Sequence, residues 1–552
     1  MKPFKGCKYS LIPLIILCFI LTISCTTPNV TKNTSEITKV GEAPNTNTLS
    51  YTGLGAQKNV SGSMHSLKIG GNNYMIDAGI FYGDEGKNYP WPDEIDPTNL
   101  KAVFITHAHA DHIGRLPLLL KEGYSGPIYM TKVTYDLVKI MLVSSIKYFD
   151  FGEEPFYYSR NNKSEVKPVY LEEYYYGDRE VMVKNRVIIK SQRADLNDKG
   201  FYMSDLLLEH LEDELLKRLE EQVKVIEYDK PFKVDNITAE FLYTTHIPGS
   251  AMLLLNINGK NILFSGDLGS DNSPFLKKNT PLDIKIDYLF VEGTYGINGN
   301  NSNNEAEREK FQQIIGDKLK EGYRIIIPAF VLDRTQQVLY EISQGMENNY
   351  IPKETVVKAY SPTSVQITDL YKNYSSQNGD YKAFFSENMF SNLFNIQNLI
   401  YNLKNSDGSY ATNINYGEIA VMSSGMASSA FSEDAINSYI EDPKTFIMIV
   451  GYQAEDTVGG DMIKASEKDE SYIMIDEVEK KIDPANIYRS HAFNSHADLN
   501  QIINIFKNTS PKKIFLVHLN EETASAIAEK YKQGFVNSEI IIPSYGVKYD
   551  LQ

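Results

Sequence analysis

Cysteine is almost missing from this chain. All three, Cys7, Cys18 and Cys25, lie within the first 25 of 552 residues, and none follows. The body can therefore form neither a disulfide nor a thiolate metal site, and any metal there must use His, Asp, Glu or backbone oxygen. Positive charge is also scarce: 55 Lys and Arg stand against 71 Asp and Glu, a net charge of -16. Such a field opposes a polyanion instead of steering it in. Contact with nucleic acid or phosphate would need a local basic pocket or bound cations. Long apolar runs are lacking as well, apart from residues 11–24, which fall short of the roughly 20 residues of a membrane-spanning helix. What remains is 42% hydrophobic and 23% charged, an ordinary globular composition. The length suits two or three domains of roughly 150 residues each.

The first residues form a separate segment. Lys2, Lys5 and Lys8 precede the short apolar run, and small residues meet Cys25 in Leu21-Thr-Ile-Ser-Cys25. This resembles a bacterial lipoprotein signal peptide spanning residues 1–25, with Thr22 where leucine is usual. The resemblance implies lipidation of Cys25 and an extracytoplasmic protein anchored to a bacterial membrane. The alternatives are an ordinary signal peptide or an uncleaved anchor. Residues 26–50, rich in Thr, Asn and Ser, read as a flexible tether.

From Tyr51 onward, apolar strand-like runs alternate with amphipathic stretches, the pattern of an α/β protein. Residues 147–230 break it. They are Tyr-rich and charged, end in a helical run from Leu206 to Val225, and read as an insertion or lid. Five apolar runs elsewhere share one ending: they stop at His107, His246, Asp267, Glu292 and His518. Each ending is a group able to bind metal or move a proton. Sites in α/β sheets form beyond the carboxyl ends of strands, so five such endings imply one shared edge.

The densest cluster is His107-Ala-His109-Ala-Asp111-His112. If residues 107–109 are extended, His107 and His109 point the same way because side chains alternate with period two. Asp111 and His112 would open a helix running on through Leu116. Four such groups in six residues can serve two adjacent cations; imidazole and carboxylate suit zinc, with manganese or iron as substitutes. The bland alternative is a polar loop of hydrogen-bonded histidines.

The pattern resembles the metallo-β-lactamase fold, whose His-x-His-x-Asp-His motif matches His107 to His112. The wider resemblance is to the β-CASP branch, which includes RNase J and the nuclease subunit of the cleavage and polyadenylation specificity factor. It rests on Gly55-Ala-Gln-Lys-Asn-Val60-Ser-Gly62-Ser63, Asp77-Ala-Gly79, Thr245-His246-Ile-Pro-Gly249 and Ser265-Gly-Asp267-Leu-Gly269. Further along stand Glu292-Gly-Thr294-Tyr-Gly296, Pro328-Ala-Phe330 with Arg334-Thr-Gln336, Ser423-Ser-Gly-Met426, Gly451-Tyr-Gln-Ala-Glu455, Asn494-Ser-His496 and Leu516-Val-His518. The resemblance implies an α/β fold, a metallo-β-lactamase αββα sandwich with an inserted β-CASP α/β domain. The sandwich would span residues 51–303 and 483–552, and the β-CASP domain residues 304–482.

The resemblance also implies roles. His107, His109 and His246 would bind one divalent cation; Asp111, His112 and His518 the other; Asp267 would bridge them. Zinc is the first choice, manganese the substitute. Asp77 would fix a histidine tautomer from behind. A hydroxide bridging the metals would attack phosphorus. His496 would be the general acid, oriented by Glu292, with His491 in reserve. Arg334, Ser424 and Gly425 would contact substrate. His65 reads as structural, His210 as solvated. The tyrosines at 157–158 and 174–176 are insertion packing or, alternatively, base-stacking groups.

Two departures bear on the substrate. No arginine follows the Ser423–Met426 block, and Gly460 stands where the branch carries arginine. Arginine forks are natural phosphate binders, so the grip on a long RNA is altered. The expected function is a two-metal phosphodiesterase resembling a ribonuclease. Alternatives are hydrolysis of another ester or amide, and a non-catalytic surface binding protein.

Overall fold

The computed structural model describes residues 48–551 except 82–91, 93–94, 149–179, 184–185, 190–214, 296–303, 376–384, 386–393, 402–411 and the single residues 429, 456, 476 and 494. The signal segment with Cys25, most of the tether, His210 and both tyrosine clusters of the insertion lie outside these residues.

Two seven-stranded mixed sheets form the first layer pair. One runs in the order Lys548–Asp550, Leu49–Gly53, His65–Ile69, Asn72–Ile76, Leu100–Phe104, Ile128–Thr131, Val223–Ile226. The other runs Glu539–Ile541, Lys513–Val517, Tyr288–Glu292, Lys260–Phe264, Ala251–Ile257, Ile237–Tyr243, Phe232–Val234. Their inner faces share one core containing Tyr51, Phe104, Phe241, Phe264, Phe290 and Phe515. Phe264 stacks on Phe290 at 4.3 Å and Phe290 on Phe515 at 4.5 Å between ring centroids. Each such buried ring contributes roughly 1.5–3 kcal/mol through area removed from water. Helices cover the outer faces; one of them, Leu499–Phe506, starts on a capping box in which Asp498 and Gln501 satisfy each other's backbone N–H. Strands from both ends of the sequence build each sheet, since Leu49–Gly53 pairs with Lys548–Asp550 and Tyr288–Glu292 with Lys513–Val517.

The inserted domain is a six-stranded sheet in the order Leu399–Ile400, Val357–Tyr360, Ile419–Met422, Arg324–Pro328, Thr445–Ile449, Ile487–Arg489, with every pairing parallel. Runs such as Ile325-Ile-Ile and Phe446-Ile-Met-Ile are buried along their whole length, as a parallel sheet covered by helices on both faces requires. Its last strand comes after residue 482, so the domain sheet closes only where the chain is returning to the sandwich. The metallo-β-lactamase sandwich with an inserted β-CASP domain is the observed fold.

Two local expectations are corrected. The chain after His107 does not open one helix through Leu116: a short helix at Ala110–Ile113 stops, and a second begins at Leu116–Lys121. Pro117 has no N–H to continue the first ladder and is accommodated at the start of the second, while the Arg115 N–H leaves to bond the Ala78 carbonyl at 2.7 Å. The Leu206–Val225 run does not stay helical either. In its described part, helix covers 215–222 and Val223–Ile226 is an edge strand beside Ile128–Thr131. β-Branched Val223, Val225 and Ile226 favour that extended edge.

Candidate metal centre

Four of the five chemistry-bearing strand ends belong to one sheet. Lys260–Phe264, Tyr288–Glu292 and Lys513–Val517 run parallel, and Ile237–Tyr243 runs the same way two strands on. His246, Asp267, Glu292 and His518 therefore reach one edge. Leu100–Phe104 of the facing sheet delivers His107 to the same place, where the Thr106 carbonyl accepts from the Ala251 N–H at 2.9 Å.

His107 Nε2 and His246 Nε2 both approach His109 Nδ1, at 3.1 and 3.0 Å. Opposite them, His518 Nε2 lies 3.4 Å from Asp111 Oδ2. Asp267 stands between the groups. Its Oδ2 is 3.6 Å from both His107 Nε2 and His246 Nε2, and its Oδ1 is 3.3 Å from His112 Nε2. Two sets thus gather, His107, His109, His246, Asp267 and Asp111, His112, Asp267, His518, each with ligand atoms within 4.8 Å of one another. His112 Nε2 and Asp267 Oδ1 are fully buried, and neither makes a hydrogen bond. They face each other, at 3.3 Å, without an aligned hydrogen bond; buried polar atoms so placed are costly, and a cation between them would satisfy both. The all-N/O donor set suits a borderline divalent ion.

Protonation differs among the candidate ligands: burial works against charge on His112, but the Asp267 and Asp77 carboxylates outweigh it and hold that imidazole well above the usual histidine range. Burial, helped by neighbouring imidazoles, holds His107 and His246 well below the usual histidine range, and burial brings His109 down to about 4. All three present neutral ring nitrogens. For Asp267, burial opposes the charge, but His518 and His112 outweigh it and keep the carboxylate ionised. Burial likewise acts against Asp111, yet the bond from His518 lowers it to about 2.

The groups behind the cluster are as fixed as the cluster. Asp77, at φ 59°, accepts from His112 Nδ1 at 2.7 Å, from the Thr106 N–H at 2.8 Å and from the Ser63 hydroxyl at 3.2 Å. This leaves His112 Nε2 facing Asp267. A Cβ on Gly79 would sit 1.6 Å from the Asp111 carbonyl oxygen, so the Asp77-Ala-Gly79 turn can lie against the ligand turn only with glycine there. His65 is buried between Tyr51 OH at 3.1 Å and Ser63 Oγ at 3.3 Å, and burial takes it down to about 3.

His496 lies outside both sets of four but in a third with Asp267 and Glu292. Its Nδ1 donates to both Glu292 oxygens, at 3.0 and 2.9 Å. Burial works against its charge, yet the Glu292 carboxylate prevails and pushes it up to about 9. Glu292 is fully buried and also accepts the Leu268 N–H at 2.6 Å. His491 is exposed and belongs to none of the three clusters.

Three groups that sequence reasoning did not single out hold the site. Thr294 Oγ1 is 2.8 Å from His518 Nδ1 and donates to the His518 carbonyl at 3.2 Å. It therefore accepts from Nδ1–H and frees Nε2 for the Asp111 side. Replacing Thr294 by valine is expected to weaken metal binding by roughly 10–100-fold, read by competition with a zinc indicator. Thr106 braces Asp77, and the Ser495 carbonyl accepts from His246 Nδ1 at 3.2 Å. Thr294 and Ser495 lie inside quoted motifs; their partners, more than 200 residues away, do not show in the sequence.

The expected substrate contacts stand on the inserted domain. Arg334 begins the helix Arg334–Glu347 and is buried. Ser424 and Gly425 follow the strand Ile419–Met422; a Cβ on Gly425 would meet the Phe330 ring and N–H at 2.7 Å. Gly460 lies in the first turn of Val458–Lys468, its N–H bonded to Thr457 Oγ1. A Cβ there would come 2.2 Å from the Ala454 carbonyl, so the backbone occupies the room an arginine would need.

Comparison with known proteins agrees with this architecture. The metallo-beta-lactamase superfamily matches residues 61–187, the Beta-Casp domain residues 335–462, and the Zn-dependent metallo-hydrolase RNA specificity domain residues 484–543. A ribonuclease of Thermus thermophilus is 26% identical over 482 residues, 86% of this chain and 94% of the relative. An endoribonuclease of Kluyveromyces lactis is 23% identical over 76% of this chain and 49% of its own length. Cleavage and polyadenylation specificity factor subunit 3-I of Arabidopsis thaliana is 24% identical over 90% of this chain and 63% of its own length. The chain thus spans nearly all of the bacterial relative and about half to two thirds of these eukaryotic ones.

Proposed function

We propose that this metal-dependent hydrolase cleaves phosphodiester bonds in RNA or a related nucleic acid, using two divalent cations, zinc in first place and manganese as the substitute. The observation that carries the reading is His496: a charged imidazole, seated on Glu292, beside the bridging carboxylate and outside both ligand sets. A separate acid is what an alkoxide leaving group needs.

His107, His109 and His246 would hold one cation, Asp111, His112 and His518 the other, with Asp267 shared. Two cations bound there supply a lowered pKa for water and neutralise charge on the phosphoryl oxygens. Asp77 and Thr294 fix the imidazoles of His112 and His518. Glu292 keeps the proton of His496 Nδ1 engaged, so the Nε2 proton is the one passed to the leaving oxygen. Substrate would lie along the carboxyl ends of the parallel β-CASP strands, where open α/β sheets bind ligands and where Ser424 and Gly425 stand. With an extracytoplasmic anchor at Cys25, the substrate would be nucleic acid outside the cytoplasm. Cys25→Ser should then move the protein from the membrane to the soluble fraction.

The full chain, solubilised in detergent and loaded with zinc or manganese, should cleave a fluorescent RNA and bis(p-nitrophenyl) phosphate. Absence of turnover on both, with two cations bound per chain, would overturn the assignment. The names of the relatives and the RNA-specificity match support RNA over a lactone or lactam.

A further inference from the structure

Arg334 belongs to the inserted domain, yet its guanidinium is spent on the segment that carries His496. Nη1 donates to the Phe493 carbonyl at 2.5 Å and Nη2 to the Ser495 hydroxyl at 2.8 Å. The guanidinium carbon lies 5.6 Å from the Phe493 ring centroid. Arg334 is 9% exposed and no carboxylate forms an ion pair with it among the described residues. A buried guanidinium with no ion pair, though helped by the charge of neighbouring buried Asp333, is expensive to desolvate. Apart from Gln337 Oε1 on its own helix, at 3.4 Å, the acceptors it reaches flank the functional groups: Ser495 precedes His496, and its carbonyl takes the Nδ1–H of His246. On the far side the segment is fastened to the sandwich, where His496 bridges to Gly269 and the Ala497 N–H bonds the Leu268 carbonyl at 2.7 Å.

We infer that Arg334 is a positioning residue, a strut through which the inserted domain sets the place of the general acid His496, and not a phosphate-binding group. Nη1 is taken up by Phe493 and Gln337 and Nη2 spends one N–H on Ser495, so a substrate phosphate that did not displace these bonds would be left with the second Nη2 N–H and the buried Nε–H. The fork shape matters: two acceptors, one on Phe493 and one on Ser495, fix the segment in a way a lysine point charge does not. The inserted domain then does more than offer a binding surface, because its attachment is part of what aims the proton donor at the leaving oxygen. The inference rests on the phosphodiesterase reading for its kinetic consequences, but not for its structural one.

The test uses Arg334→Met and Ser495→Ala in the full, metal-loaded chain with two substrates of different leaving group. An RNA alkoxide needs protonation; p-nitrophenolate leaves without it. Arg334→Met should lower kcat on RNA roughly 100-fold, with KM and metal content nearly unchanged, and lower turnover of bis(p-nitrophenyl) phosphate only about threefold. Ser495→Ala should shift both in the same direction by less. A raised KM on both substrates at unchanged kcat would instead mark a phosphate contact and overturn the inference. Equal loss of kcat on both would mark general structural damage and overturn it too. Hydrogen exchange provides an arm that needs no activity: amides in 493–497 should exchange faster in Arg334→Met than in the parent chain. Unchanged protection there overturns the strut even if the parent enzyme proves inactive on both substrates, an outcome that would separately remove the phosphodiesterase reading.

Discussion

Replacing His496 by alanine is expected to lower RNA turnover by roughly 100- to 10,000-fold while both cations stay bound. The imidazole lies in neither four-ligand set, so removing it leaves His107, His109, His246, Asp111, His112, Asp267 and His518 in place. On the proposed reading, what is lost is the proton that Nε2 would pass on while Nδ1 is tied to Glu292. Metal content by mass spectrometry and kcat by single-turnover cleavage check the two halves separately. Unchanged kcat would mean that the leaving group needs no acid, which fits an ester or amide substrate better than RNA. Loss of metal together with activity would mean that His496 is a ligand.

Asp267→Ala should do the opposite: lose both cations and, with them, all turnover. Oδ2 faces His107 and His246 while Oδ1 faces His112, so a single substitution opens both sets at once. Two cations acting on phosphoryl charge supply several kcal/mol, and at about 1.4 kcal/mol per decade their loss corresponds to roughly 1,000-fold or more. The protein should also lose its thermal response to zinc, because a ligand raises Tm only if the native state binds it. A parent Tm that climbs with zinc, beside an Asp267→Ala Tm that does not, is the expected pair of melting curves. A variant that keeps two cations would show that Asp267 does not bridge.

Together the two substitutions separate chemistry from metal binding, which matters because the groups are crowded. The His246 and His496 ring centroids lie 4.7 Å apart, and a displaced ring in one role disturbs the other. The crowding also explains why Asp77, Thr106 and Thr294 are tied down: an imidazole free to flip would offer the wrong nitrogen.

The sequence alone determined a good deal. A run of four metal-ligand types in six residues, and five apolar runs each ending on a proton- or metal-binding group, are local patterns. Local patterns survive in a one-dimensional record because strand alternation and strand ends depend on neighbouring residues. His107, His109, Asp111 and His112 could therefore be singled out with His246, Asp267 and His518 as residues that the structure gathers at one place. The β-CASP insertion was visible as a second stretch of alternating elements with its own motif blocks.

Tertiary structure alone decided the rest. Nothing near Arg334 in the chain says whether its guanidinium faces a substrate or the Ser495 hydroxyl, 161 residues on. Thr294 Oγ1 meets His518 Nδ1 across 224 residues, and neither residue's surroundings announce the other. Pro117 and the β-branched residues of 223–226 permit the helix split and the edge strand, but both are realised by packing, when the Arg115 N–H finds the Ala78 carbonyl and 223–226 pairs with Ile128–Thr131. The clustering of metal-ligand residue types is a matter of local spacing, so the candidate residues were legible beforehand. Ligand orientation depends on hydrogen bonds between segments brought together only when both ends of the chain enter the same two sheets.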